Sequence, residues 1–196
     1  MEDRNSLATR KCILEAAQRL FAAHGYHGAS IRDIVRACGV SNAALYYHFG
    51  SKQTLYAEVL RSYIAAVVEH LHGADPGEGS CRTRLSQVAI AYARVILHSE
   101  NLLQTLLRDA AHFDPEDIAR LLPDLSDQIP EAIATIVEDG IAAGEVRQVP
   151  SVHTGMLMMG MVNALAVRRL YTKAGTTLQQ DVDLAIETLF DGIGTQ

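Results

Sequence analysis

The chain has 196 residues, 48% of them apolar, and a formal net charge of −6. That length holds one large domain or two small ones around a packed core, and no run reaches the roughly 18 uninterrupted apolar residues of a membrane span. The first residues, Met1 to Asn5, are charged and carry no apolar signal segment. Three scattered cysteines, Cys12, Cys38 and Cys81, exclude a disulfide framework or a paired-cysteine metal site, and a reducing cytoplasm is the expected location.

In chain order, the first informative stretch runs from Ser30 to Phe49 and predicts two short helices hinged at Gly39. Ser30 is placed to cap the first, with Asp33 three residues on able to reach back to the freed backbone N–H, a capping box. Ile31, Ile34 and Val35 share one face, while Arg32, Asp33 and Arg36 lie on the other. Gly39 supplies the freedom for a tight turn, Val40 is available to plug the angle between the helices, and Ser41 is a second cap.

On the second of these helices Leu45 and Phe49 lie one turn apart and face the core, which turns Asn42, Ala43, Tyr46 and Tyr47 outward. The hydroxyls, the Asn42 amide and the His48 imidazole suit phosphates or base edges, and Ala43 suits a thymine methyl. The stretch reads as a DNA-reading helix-turn-helix. The two tyrosines also fit a second role, as half-buried aromatics closing a small domain.

Gly50 suits a left-handed helix end, and Ser51 caps a long fourth helix carrying Leu55, Val59, Tyr63 and Val67. Lys52 then opens that helix, where a cation is disfavoured unless a phosphate is bound there; a plain solvated lysine is the alternative. Charge divides along the chain. Residues 1–52 hold seven Lys/Arg and four acids, net +3, which leaves −9 on the rest. A basic head on an acidic body meets DNA in one orientation, although a few surface charges suffice to produce such an asymmetry by chance.

Residues His72 to Ser80, rich in glycine, predict a loop. Beyond it the pattern is helical throughout, with helices expected near 81–98, 100–112, 115–122, 127–143, 151–173 and 177–193. The helix over 151–173 is apolar nearly all round between Gly155 and Val167, so it is expected to be buried on two faces. One of those faces suits a symmetry mate, with Gly160 and Ala164 allowing close approach, and the last helix offers the stripe Leu178, Val182, Ala185, Ile186, Leu189 and Ile193. The two helices then form a two-fold four-helix bundle in a homodimer; the alternative is the centre of a monomeric core.

A small-molecule effector site is expected from Met156, Met159 and Asn163 with Leu103, Leu106, Leu107, His112 and Phe113, where thioethers accommodate varied apolar shapes and one amide orients them. A methionine stripe that is only core explains the same residues. His98 and His112 lack a second ligand at helical spacing, so no metal is expected. No phosphate-cradling loop, nucleophile elbow or HExxH is present, and no cofactor or enzymatic activity is expected. A helical adaptor whose head binds protein remains the rival class.

The segment from Thr9 to about Leu60 resembles the tetracycline-repressor (TetR) family of bacterial transcriptional regulators. The resemblance lies in the first helix ending Leu20 to Gly28, the Ser-Ile-Arg-Asp-Ile second helix, the Gly-Val-Ser turn, the Leu-Tyr-Tyr-His-Phe third helix and the Ser-Lys start of the fourth. It implies that Ser30, Ser41, Asn42, Ala43, Tyr46, Tyr47, His48 and Lys52 lie along the major groove or its phosphates. Arg32, on the outer face of the second helix, completes the candidate DNA-binding set. The chain departs from the family at Asn42, where many members carry lysine, and at Ala43 or Ala44, where they carry glycine or a small hydroxyl residue.

The expected architecture is all-α. A three-helix DNA-binding domain (1–55, with the helix-turn-helix at about 30–49) is joined by the long fourth helix to a helical ligand-binding and dimerisation domain (56–196). The implied function is ligand-responsive repression at a pseudo-palindromic DNA operator, with no membrane partner.

Overall fold

A computed structural model describes residues 4–98, 109, 113–114, 116, 127–172 and 175–193. Among the described residues the helices are α1 (Arg4–Gly28), α2 (Ile31–Cys38), α3 (Asn42–Phe49), α4 (Lys52–Ala74), α5 (Cys81–His98), α6 (Gln128–Ala142), α7 (Ser151–Tyr171) and α8 (Leu178–Ile193). No helix among the described residues is long and apolar enough to cross a membrane. The helices expected at 100–112 and 115–122 lie, except for a few residues, outside the described part. The chain divides into two compact units, Met1–Tyr63 with Asn101–Pro123, and Ile64–Glu100 with Asp124–Gln196. The division falls inside α4, between Tyr63 and Ile64.

Local chemistry accounts for the ends of the short helices. Ser30 Oγ accepts from the Asp33 N–H at 3.2 Å, and Ser41 Oγ from the Ala44 N–H at 3.2 Å. The reciprocal half of the expected capping box does not form: the Asp33 carboxylate accepts the Ser30 hydroxyl at 2.5 Å and pairs with Arg36. With its short side chain already satisfied by those two donors, Asp33 has no reason to reach the Ser30 N–H. Gly39 is left-handed, at φ 65°, and the Gly39 and Val40 N–H groups donate to Arg36 and Val35, which closes α2 as a Schellman motif. The loop after α4 is shorter than predicted, because His72, Gly73 and Ala74 continue the helix. Gly73 sits in the last turn, where a glycine costs little.

In the first unit, Ile13, Ala16, Ala17 and Phe21 of α1 pack with Ile34 and Val35 of α2, Leu45 and Phe49 of α3, and Leu55, Tyr56, Val59 and Leu60 of α4. All are buried. Arg10 adds a 2.8 Å ion pair to Glu58 and lies 5.0 Å from the Phe49 ring centroid, stitching α1 to α3 and α4.

The second unit packs α5, α6, α7 and α8 around Leu85, Val88, Tyr92, Ile133, Ile136, Met158, Val162, Val182 and Ile186. Two glycines set its helix spacings. A Cβ at Gly140 would meet Cys81 Sγ at 2.6 Å, and one at Gly155 would meet the Pro130 carbonyl oxygen at 2.8 Å. Arg84 grips both Asp75 oxygens, at 2.9 and 2.7 Å, and Asp139 at 2.8 Å, and its hydrogen bonds hold the Asp75 carboxyl below the usual range. A second clamp joins α7 to α8: Arg169 donates to buried Asp181 at 2.5 Å and to the Thr176 carbonyl at 2.8 Å, and the Thr176 hydroxyl donates to Asp181 at 2.6 Å.

Candidate nucleic-acid interface

The reading helix takes the orientation its sequence predicts. Leu45 and Phe49 are buried, which leaves Tyr46 at 48% and Tyr47 at 83% exposure. Asn42, Ala43, Ser41, Ser30 and Arg32 are exposed, while His48 is half-buried with its ring against Tyr47 at 5.2 Å between centroids. The alternative role of the tyrosines as core aromatics does not hold. Large rings with free hydroxyls stand in water on a short helix whose inner face is fixed by packing, an arrangement suited to a groove with acceptors and phosphates.

The two serines are less available than their positions suggest. Each hydroxyl oxygen already accepts a capping N–H, and Ser30 also spends its proton on Asp33. What these residues supply is a fixed start to α2 and to α3.

Lys52 is neither a plain solvated lysine nor an isolated charge. Its ammonium lies 4.4 Å from the centroid of the Tyr26 ring, and burial lowers its pKa. Ser51 caps α4 through the Thr54 N–H at 3.0 Å, so Lys52 is held at a capped helix start by a cation–π contact.

Tyr26 belongs to an aromatic cluster that sequence reading missed. Its ring meets Phe21, Tyr56 and Phe113 at 6.2, 5.1 and 4.6 Å between centroids, and burial raises its hydroxyl pKa. The Tyr26 N–H donates to Asp109 at 2.6 Å, just past Gly25, whose φ of 67° kinks α1. A Cβ at Gly25 would lie 2.8 Å from the same carboxylate. The Gly25-Tyr-His-Gly28 segment carried a signal for a helix end but none for these partners.

The predicted effector residues fare differently. Leu103, Leu106, Leu107 and His112 lie outside the described residues. Phe113 is packed on Tyr26 and Tyr56 in the first unit, whereas Met156, Met159 and Asn163 are on α7 in the second. Met158, not Met156, is the buried methionine of that pair of turns.

The second unit contains an open cleft of about 600 Å³ lined by Ala65, Val68, Glu69 and His72 of α4 and by Gln128, Glu131, Ala132 and Thr135 of α6. None of Phe113, Met156, Met159 and Asn163 lines it. Glu69 and His72 form a single Glu-x-x-His pair. Among the described residues no group of three His, Cys, Asp or Glu is placed to hold a metal ion.

A capped helical corner on a three-helix head, followed by a second all-helical unit, defines the helix-turn-helix class of DNA-binding proteins. Residues 13–59 match the model for bacterial regulatory proteins of the tetR family, and residues 78–190 match the tetracyclin repressor-like C-terminal domain. The chain belongs to the TetR family.

Over 61 residues it is 43% identical to the HTH-type transcriptional repressor AcnR of Corynebacterium glutamicum, a match spanning 31% of this chain and 32% of that protein. The chain thus matches about a third of the length of the AcnR relatives. Over 183 residues it is 21% identical to the HTH-type transcriptional repressor KstR2 of Rhodococcus jostii, covering 93% of this chain and 90% of the relative. The crystal structure of the TetR family transcriptional regulator PfmR from Thermus thermophilus superposes with a TM-score of 0.65 at 25% identity, covering 94% of this chain and 98% of that one.

Proposed function

We propose that the chain is a homodimeric repressor, working in the bacterial cytoplasm, that leaves a pseudo-palindromic operator when a small, largely apolar molecule binds its second unit. The observation that carries this reading is α3, with Tyr46 and Tyr47 in solvent beside Asn42 and Ala43 while Leu45 and Phe49 anchor it. Arg32, His48 and Lys52 flank that face, and Ser30 and Ser41 fix the starts of the helices that present it.

One such head covers only a few base pairs, so two are needed. Heads about 34–36 Å apart meet successive major grooves on one side of the duplex. The second copy is assigned to α7 and α8. Their outer surface exposes Leu157, Tyr171 and Leu184, with Gly160 and Ala164 between, an apolar surface a second copy would cover. Repression rather than activation is supported by AcnR and KstR2, both repressors. Effector binding is assigned to the second unit, where Met156, Met159 and Asn163 of α7 are the candidate contacts.

Selection of bound sequences from random DNA by the purified protein, followed by fluorescence anisotropy across a salt series, tests the reading. We expect a symmetric site preferred over scrambled DNA by about 10³ or more, with affinity falling steeply as salt rises. Equal affinity for the selected and scrambled duplexes would contradict it. A small-molecule screen for release of the selected duplex then tests the effector assignment.

A further inference from the structure

Asp109 and Phe113 come from the stretch between α5 and α6, yet they belong with the head: Asn101–Pro123 joins the same compact unit as α1, α2 and α3. Gly25 breaks α1 at φ 67°, and the turn that follows is closed by the Ala29 N–H on the Gly25 carbonyl at 3.2 Å. Tyr26 stands at the start of that fresh turn, where a helix has no carbonyls of its own to offer its N–H groups. The Asp109 carboxylate takes the Tyr26 N–H at 2.6 Å and so caps the turn from 83 residues away. A Cβ at Gly25 would lie 2.8 Å from that carboxylate, which ties the glycine to the acid as well as to the bend.

The Tyr26 ring is boxed in as firmly as its backbone. Phe113 meets it edge to face at 4.6 Å between centroids and meets Tyr56 at 5.5 Å, while Tyr56 meets Tyr26 at 5.1 Å. With backbone and ring both held, the place of the ring's face is set, and the Lys52 ammonium lies 4.4 Å from its centroid. A lysine head on a flexible four-carbon stem otherwise samples many positions and loses them on binding an anion. Here much of that ordering is done before DNA arrives.

We infer that Asp109 and Phe113, outside the helix-turn-helix, are positioning residues for operator binding, acting through Tyr26 to hold the Lys52 ammonium at the capped start of α4 for a DNA phosphate. The inference rests on Lys52 being a phosphate contact of the operator-bound head.

Anisotropy of the full-length protein on its selected duplex, across a salt series, tests it. Asp109→Ala is expected to bind about fivefold more weakly and to lower the slope of log affinity against log salt by about one, as Lys52→Gln does. Asp109→Asn, which keeps an acceptor oxygen, should restore both. In the Lys52→Gln background Asp109→Ala should change neither. Phe113→Leu, which keeps apolar bulk, should give the same pattern with a smaller loss, and it serves if Asp109→Ala fails to fold. Equal losses with and without Lys52, or a slope equal to the parent's, would overturn the inference, because a mere support of the fold weakens binding whichever residue stands at 52.

NMR of the DNA-free protein separates that failure from failure of the phosphate reading. The Lys52 ε-methylene protons, next to an ammonium over the Tyr26 ring, should be shifted upfield in the parent and in Asp109→Asn and return toward the free-lysine position in Asp109→Ala. An upfield shift that persists in Asp109→Ala overturns the positioning. A shift lost there, while Lys52→Gln leaves the salt slope unchanged, rejects the phosphate reading and the operator role with it.

Discussion

Helix α3 and the outer face of α7 both leave large side chains in water, but they differ in what those side chains can bond. On α3 the exposed groups are two tyrosine rings with hydroxyls and an amide, and the helix is only eight residues long. On α7 they are Met156, Leu157, Leu170 and Tyr171 along a helix of 21 residues, apolar but for the one Tyr171 hydroxyl, with Leu184 exposed on α8. Hydrogen-bonding groups on a short, rigidly anchored helix suit a polar, charged surface that carries its own pattern of donors and acceptors. An apolar strip on a long helix gains only by excluding water, which in the proposed dimer a second copy of the chain would do. Exposure alone does not separate the two faces; the chemistry of the exposed atoms does.

The largest effect should come from breaking the apolar face. Leu157→Glu is expected to leave the helical fold intact, to halve the mass measured by light scattering, and to cut operator affinity by about 10² or more through lost bivalency. An unchanged mass would remove α7 from the dimer contact. Next in size is the clamp behind that face, where Asp181→Asn is expected to cost about 2 kcal/mol at pH 7 in denaturant unfolding.

Burial raises the Asp181 pKa, but the hydrogen bonds from Thr176 and Arg169 outweigh it and hold the carboxyl below its usual range. A depressed folded pKa stabilises the protein above the unfolded value of about 3.9 and loses that contribution as pH falls through the folded one. The gap between parent and variant should therefore close below about pH 4, and a gap that persists there would show that packing, not charge, makes the clamp.

On the polar face, Tyr46→Ala with Tyr47→Ala should lower specific binding by about 1–3 kcal/mol while unfolding stability shifts by no more than about 0.5 kcal/mol. A stability loss as large as the binding loss would mean that the rings support the head rather than read DNA. The smallest effect is assigned to Lys52. Lys52→Gln should reduce the slope of log affinity against log salt by about one, with little change in sequence preference. An unchanged slope would leave the ammonium with Tyr26 alone.

How much of this was legible in the sequence depends on the range of the interaction. The caps at Ser30, Ser41 and Ser51 and the Gly39 hinge were readable because each is satisfied within a few residues. The burial of Leu45 and Phe49 followed from helical period alone. The exposed strip on α7 was partly readable. A helix apolar all round announces two faces, but only packing shows that Gly155 meets the Pro130 carbonyl while Gly160 stays open.

The sequence by itself determined an all-helical chain with a capped, tyrosine-bearing corner, because helix propensity, capping and periodicity are local and each turn carries its own signal. Tertiary structure decided what lies against that corner. It brought Tyr26 under Lys52 and Phe113 onto Tyr26 and Tyr56. Those pairings depend on how separate helices cross, and side chains whose partners are dozens of residues away leave no mark at any fixed spacing.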